Sequence, residues 1–223
     1  MKVGYAVLYN DGELVISKNH IILSKKIEID YSEFEDTLVP WNNESKKIEK
    51  IQIFDQVKSN CMSKWFDGCR NLTTLLDFKN LDVSDCADFS YMFRNCESLQ
   101  NLNGLQNWNV LNGTNFFAMF YKCKSLQGIN ELQNWNVLNG IDFSYMFSYC
   151  ASLKDITALT NWNVSNGIKF SYMFANCKSL KNITLPQTLK KITTDMFYHC
   201  NNIQIKFKKY YYNYNDLLSY DTF

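Results

Sequence analysis

Two prolines, eight glycines and two histidines are all that 223 residues contain of these types. Collagen-like and linker-like chains are dominated by proline and glycine, so both are excluded. Charge of one sign is missing too: 23 basic and 22 acidic side chains leave a net charge of +1. A nucleic-acid-binding or membrane-surface protein would show a basic footprint, and none is expected here. No apolar run approaches the roughly 20 residues that cross a bilayer. The start, Met1-Lys2-Val3-Gly4-Tyr5, lacks the apolar core and small-residue cleavage site of a secretory signal. As written, the product is expected to stay inside its cell, without membrane insertion. There is no glycine-rich phosphate loop, no repeated carboxylate pair and no calcium-loop spacing of oxygen ligands.

What is present is a repeat. Cys69, Cys96, Cys123, Cys150 and Cys177 stand 27 residues apart, and Cys200 follows after 23. Three residues before each lies Phe66, Phe93, Phe120, Phe147, Phe174 or Phe197; three residues after lies Leu72, Leu99, Leu126, Leu153, Leu180 or Ile203. A fixed period of this length is the signature of a repeat architecture. Each unit has three stretches. An aliphatic segment, such as Leu99 to Leu105, suits a short strand packed on one side. A turn follows, Asn107-Trp108-Asn109-Val110 and its copies at 134–137 and 161–164, with Asn80-Leu81-Asp82-Val83 as the earliest. Asn112-Gly113, Asn139-Gly140 and Asn166-Gly167 suggest positive φ and a sharp change of direction. The third stretch carries Phe143, Met146, Phe147 and Cys150 at i, i+3, i+4 and i+7, which predicts a two-turn helix. None of these pieces can bury its apolar side alone, so stacking is required, and the expectation is a one-dimensional solenoid.

Met-Phe-x-x-Cys-x-Ser-Leu followed by Asn-Trp-Asn-Val resembles the bacterial surface-protein repeats of the BspA-like leucine-rich-repeat proteins. The last copy, Leu185-Pro186-Gln187-Thr188-Leu189-Lys190-Lys191-Ile192 and then Met196-Phe197-x-x-Cys200, resembles the 23-residue treponemal type of that superfamily. The resemblance covers residues 61 to about 205, and Ile51 to Asp55 leading to Trp65-Phe66-Asp67-Gly68-Cys69 looks like the usual lead into such arrays. The fold class expected is an α/β repeat solenoid, a leucine-rich-repeat array of short parallel strands and short helices. Residues 1–60 are expected to form a small β-rich N-terminal cap, 61–207 the array and 208–223 a C-terminal tail. In the cap, Val3 to Ile16 alternates around Asn10-Asp11-Gly12, a hairpin signature. Short strands are expected near Ile21–Leu23, Ile27–Ile29 and Ile51–Ile53, an irregular stretch over Tyr31–Lys50, and a closing strand from Ile203 to Phe207.

Several constellations invite chemistry and are better read as structure. Six of the eight cysteines share one position in the repeat, where a thiol behaves as a small buried hydrophobe; zinc needs converging ligands, usually in Cys-x-x-Cys pairs, and these are missing. Cys61 and Cys86 lie off that ladder. His199 and Cys200 are neighbours that point apart, and His20 has no evident partner, so no nucleophile pair is expected. Lys206, Lys208 and Lys209 among Tyr210, Tyr211, Tyr212 and Tyr214 could stack on single-stranded nucleic acid; balanced charge elsewhere favours an amphipathic closing strand and tail. Leu185-Pro186-Gln187-Thr188 resembles the start of a cell-wall sorting signal but lacks its glycine, apolar tail and basic end. Trp108, Trp135 and Trp162 could form an exposed stripe for sugar or peptide binding, and their strict repetition favours a structural ladder.

Positions that vary between copies are free to recognise something. Flanking the central aliphatic residue of each segment are Thr74 and Leu76, Asn101 and Asn103, Gly128 and Asn130, Asp155 and Thr157, Asn182 and Thr184. Of these, Thr74, Leu76, Asn101, Asn103, Asn130, Asp155, Thr157, Asn182 and Thr184 form the candidate partner-binding set, on parallel strands about 4.8 Å apart. The expected function is non-enzymatic recognition of a protein or glycan, without cofactor, metal or nucleic acid. The resemblance associates this with surface adhesion and partner binding. The alternative is an intracellular adaptor, sensor or toxin-neutralising protein on the same scaffold.

Overall fold

The computed structural model describes residues 2–19, 23, 25, 27–35, 39–200, 203–208 and 210–213. The alternating N-terminal segment forms β1 (Lys2–Tyr9) and β2 (Glu13–Ser17), an antiparallel hairpin pairing Leu8 with Leu14. Gly12 takes φ +77 in the turn, where a Cβ would meet the Lys47 carbonyl oxygen at 2.8 Å. Strand β3 (Ile27–Glu35) adds to the other side of β1, and so covers part of the stretch expected to be irregular. Of the expected strand at 21–23, positions 21 and 22 fall outside the described residues.

The hairpin leads directly into the repeats. Strand β4 (Lys50–Ile53) pairs parallel with β2, and β6 (Thr74–Leu76) pairs parallel with β4, giving one sheet in the order β3-β1-β2-β4-β6. Between them, β5 (Val57–Lys58) pairs with β7 (Leu81–Asp82). At the far end β8 (Asn182–Thr184) pairs parallel with β9 (Gln204–Phe207), as expected for a closing strand. Strand β10 (Tyr210–Asn213) then returns antiparallel, so the chain stays ordered beyond the point where a tail was expected.

The third stretch of the repeat is not helical; the described residues contain no α-helix. Tyr91 and Asn95, Ala118 and Lys122, Tyr145 and Tyr149, Tyr172 and Asn176 have φ between 52 and 62. A left-handed residue every fourth position is incompatible with a right-handed helix. Alternate amides divide the work instead. The Met92, Arg94 and Cys96 N–H groups bond back to Phe89, Tyr91 and Phe93, while those of Phe89, Tyr91, Phe93 and Asn95 cross to Asn115, Phe117, Met119 and Tyr121 of the next copy at 2.7–2.9 Å. Each copy is therefore a chain of overlapping β-turns hydrogen-bonded to its neighbour. Parallel bridges Cys61–Asp88–Asn115–Asp142–Lys169 run along the same stack.

A four-residue turn repeat directs i, i+3, i+4 and i+7 inward just as a helix does. Phe93, Phe120, Phe147, Phe174 and Phe197 accordingly stack ring on ring at 5.4–5.6 Å, and Phe89, Phe116, Phe143 and Phe170 at 5.3–5.4 Å. From Cys96 to Cys200 each ladder cysteine donates its thiol to a carbonyl of the preceding copy, as Cys150 does to Phe120 at 3.1 Å. Trp108, Trp135 and Trp162 are buried and stacked, each indole donating at 2.9 Å to Phe78, Leu105 and Leu132 respectively. Thr188 closes that ladder, its hydroxyl donating to the Trp162 carbonyl at 3.0 Å.

The Asn-Gly pairs also differ from expectation, since none of Gly113, Gly140 and Gly167 has positive φ. Glycine is required there for space: a Cβ on Gly140 would sit 2.3 Å from Phe143 Cζ. The asparagines form their own ladder, Asn139 Nδ2 donating to Leu111 at 3.0 Å and Asn166 to Leu138 at 3.0 Å. At the N-terminal end the stack has spare carbonyls, and side chains cap them. Trp41, in a 3-10 helix at Pro40–Lys47, donates its indole to the Trp65 carbonyl at 2.6 Å, and Ser59 donates to Cys61 at 2.8 Å.

Candidate functional site

The nine candidate residues stand on the outer side of the aliphatic segments. Leu75, Leu102, Ile129, Ile156 and Ile183 are buried between them. Asn101, Asn103, Asn130, Asp155, Thr157 and Asn182 are exposed, Leu76 is at the border of exposure, and Thr74 and Thr184 are half-buried. Successive segments are in register, with Gln127 N–H donating to Gln100 and Lys154 N–H to Gln127 at 3.1 Å each.

Only the end segments, β6 and β8, are strands. The three central copies are not, apart from a single bridge between Gly128 and Asp155, and the expected continuous strand face is corrected to that extent. In two of the three, side chains supply a reason. Asp155 Oδ1 accepts the Thr157 N–H at 2.8 Å, and Asn101 Oδ1 accepts that of Asn103 at 3.3 Å. Such local bonds compete with ladder pairing, and 3-10 turns follow at Asn130–Leu132 and Thr157–Asn161. Asp155 is thus both exposed and a turn cap, a dual role invisible in the spacing alone.

The other constellations resolve structurally. The six ladder cysteines and Cys86 are buried free thiols, and Cys61 is half-buried at the head of the bridge series. Burial pushes the Cys86 thiol up to about 12 and that of Cys200 to about 11, and drives those of Cys69, Cys96, Cys123, Cys150 and Cys177 upward as well. A thiol held in that state is a poor nucleophile and a poor metal ligand. Cys200 donates to the Phe174 carbonyl at 3.0 Å, whereas exposed His199 lies against the Tyr198 ring, so the two do not face each other. His20 lies outside the described residues. Lys206 and Tyr210 sit on paired strands, Lys208 lies over the Phe207 ring at 5.0 Å, and Lys209 and Tyr214 are outside the described residues. Among the described residues no three His, Cys, Asp or Glu side chains cluster as metal ligands, and no helix is long and apolar enough to cross a membrane.

Two surface features escaped the reading of the repeat. On the β-turn side, Tyr91, Phe117, Tyr145 and Tyr172 make a partly exposed ridge with ring centroids 5.0–5.7 Å apart. Arg94 lies over its Tyr91 ring at 4.6 Å, and beside the ridge Lys122 lies over the Tyr121 ring at 5.3 Å. The signal was Tyr91, Tyr145 and Tyr172 at one repeat position outside the core columns, with Phe117 one residue before the Ala118 that holds that position in its own copy. The second is a groove of about 450 Å³ beside Ile168 and Lys190, where the 27-residue period gives way to the 23-residue one.

A stack of in-register repeats with an outward row of variable polar groups is a repeat protein. This chain belongs to the family described as Mycoplasma protein of unknown function, DUF285, whose model matches residues 34–155 and 129–210. No curated protein matches it. Among solved structures it is similar to a leucine-rich repeat protein from Bacteroides ovatus, at 14% identity and TM-score 0.43, over 93% of this chain and 52% of that one. It is also similar to a leucine-rich repeat protein from Eubacterium ventriosum, at 15% identity and TM-score 0.26, over 91% of this chain and 82% of that one. The chain spans about half the length of the first.

Proposed function

We propose that this protein is a non-enzymatic recognition module, a short leucine-rich-repeat solenoid similar in type to the BspA-like proteins. Its partner is a protein or glycan laid along the row from Asn101 to Thr157. The carrying observation is the contrast within each copy: the core columns repeat, while the outward positions vary, one column reading Asn101, Gly128 and Asp155 and the other Asn103, Asn130 and Thr157, with Asn101, Asn103, Asn130, Asp155 and Thr157 exposed. One charge among those five residues gives a polar, nearly neutral row, suited to many weak hydrogen bonds of which a few dominate. Buried thiols at every ladder position support a structural rather than catalytic use of cysteine.

A photo-crosslinking residue placed at Asn103 or Asn130 tests the reading in the source cells. Adducts from these positions, and none from Lys122 on the β-turn side, are expected. Asp155→Asn keeps an oxygen for the Thr157 N–H, and should weaken binding with an unchanged melting curve; Asn130→Trp should block it. Adducts from Lys122 alone would place the surface on the other side.

A further inference from the structure

The crossing hydrogen bonds of the stack have a fixed pattern at the bridge positions. The Ala87 carbonyl accepts the Thr114 and Asn115 N–H groups, and Phe89 N–H donates to the Asn115 carbonyl. One copy later, Thr114 accepts from Ile141 and Asp142, and Phe116 donates to Asp142; then Ile141 accepts from Ile168 and Lys169, and Phe143 donates to Lys169. There the series stops. The next repeat is four residues shorter, and no Asn-Gly turn occupies the following position. Among the described residues the Ile168 carbonyl receives no backbone N–H and the Phe170 N–H meets no acceptor, although both stand where every earlier copy is paired.

This open edge faces the groove of about 450 Å³. All the charged residues lining it are lysines: Lys169, Lys190 and Lys191. Lys169 is partly neutralised by Asp142 at 3.3 Å, whereas Lys190 and Lys191 form no ion pair among the described residues. Ile168, 74% exposed, is the most exposed large apolar side chain described, and buried Leu189 also lines the groove. Thr193 Oγ1, also on the lining residues, is buried without a hydrogen-bond partner.

We propose that this edge is a docking site for an extended acidic peptide segment of another protein, which adds as the missing rung. One peptide residue lies opposite Lys169, donates its N–H to the Ile168 carbonyl and accepts the Phe170 N–H, repeating the part Asn115 plays for Asp88. Strand addition of this kind draws affinity from main-chain bonds and specificity from alternate side chains. Here the alternate side chains are carboxylates toward Lys190 and Lys191 and an apolar residue against Ile168. The site is separate from the row of Asn101 to Thr157 and stands or falls independently of it.

Fluorescence anisotropy with a labelled, end-capped Glu-Val-Glu-Val-Glu-Val peptide tests the proposal. Saturable binding is expected, weakened at least about tenfold (roughly 1.4 kcal/mol) by Lys190→Glu with Lys191→Glu, and similarly by Ile168→Asp. Methylating the backbone nitrogens of the peptide should abolish binding, and a Lys-Val counterpart should not bind. Far-ultraviolet circular dichroism and melting of the variants check that they fold. Equal binding of the methylated peptide would reduce the site to charge attraction and overturn the strand-addition claim. No saturable binding to the folded wild-type chain, or binding indifferent to all three substitutions, would overturn it as well. A concentration-dependent dimer in sedimentation, abolished by Ile168→Asp, would make the occupant a second copy of this chain and refute the acidic partner.

Discussion

Alkaline stability offers the sharpest check on the buried thiol ladder. Seven cysteines are buried, and each has its thiol raised above the ordinary value of 9.0 by burial. In the unfolded chain these thiols ionise near pH 9; in the folded chain they keep their protons to about 11 or beyond. Between those limits the unfolded state binds fewer protons, so stability falls as pH rises. Well below pH 9 the contribution is fully present. At pH 10 each thiol withdraws about 1.4 kcal/mol, and seven together about 10 kcal/mol. An ordinary domain has about 5–15 kcal/mol in all, so the fold should be lost cooperatively close to pH 10. Urea midpoints measured between pH 8 and 10 should fall with a linkage that climbs from under about one proton at pH 8, through about 3.5 at pH 9, to roughly six at pH 10, and Cys150→Ala should lower it by about one seventh. A midpoint independent of pH over this interval would refute the buried, protonated ladder.

Phe147 is fully buried between Phe120 and Phe174; Phe147→Ala should cost about 3–5 kcal/mol in denaturant melts, against less than about 0.5 kcal/mol for exposed Lys178→Ala. Gly140→Ala drives a methyl into Phe143 and should destabilise by about 1–3 kcal/mol despite its ordinary φ, read as a drop in melting temperature. A thiol reagent should label Cys61, the half-buried cysteine, rapidly in the native protein and the other seven only after denaturation.

Much of this molecule was legible in its sequence because repetition isolates what each position does. The 27-residue spacing of Cys69 to Cys177 established the rung, and recurrent Phe147-type and Trp135-type positions identified the core. Asn10-Asp11-Gly12 marked its hairpin through local chemistry alone. The conformation of the third stretch was not legible. A four-residue turn repeat and a 3.6-residue helix place the same four side chains inward, and only the neighbouring copy, by capturing alternate amides, selects left-handed φ at Tyr145 and Tyr149. The need for glycine at position 140 likewise comes from the Phe143 ring, a tertiary contact, rather than from a turn dihedral. The open edge at Ile168 needs both levels: the sequence says that the last repeat is four residues short, and only stacking turns that shortfall into a carbonyl and an amide unpaired among the described residues, beside a lysine-lined groove.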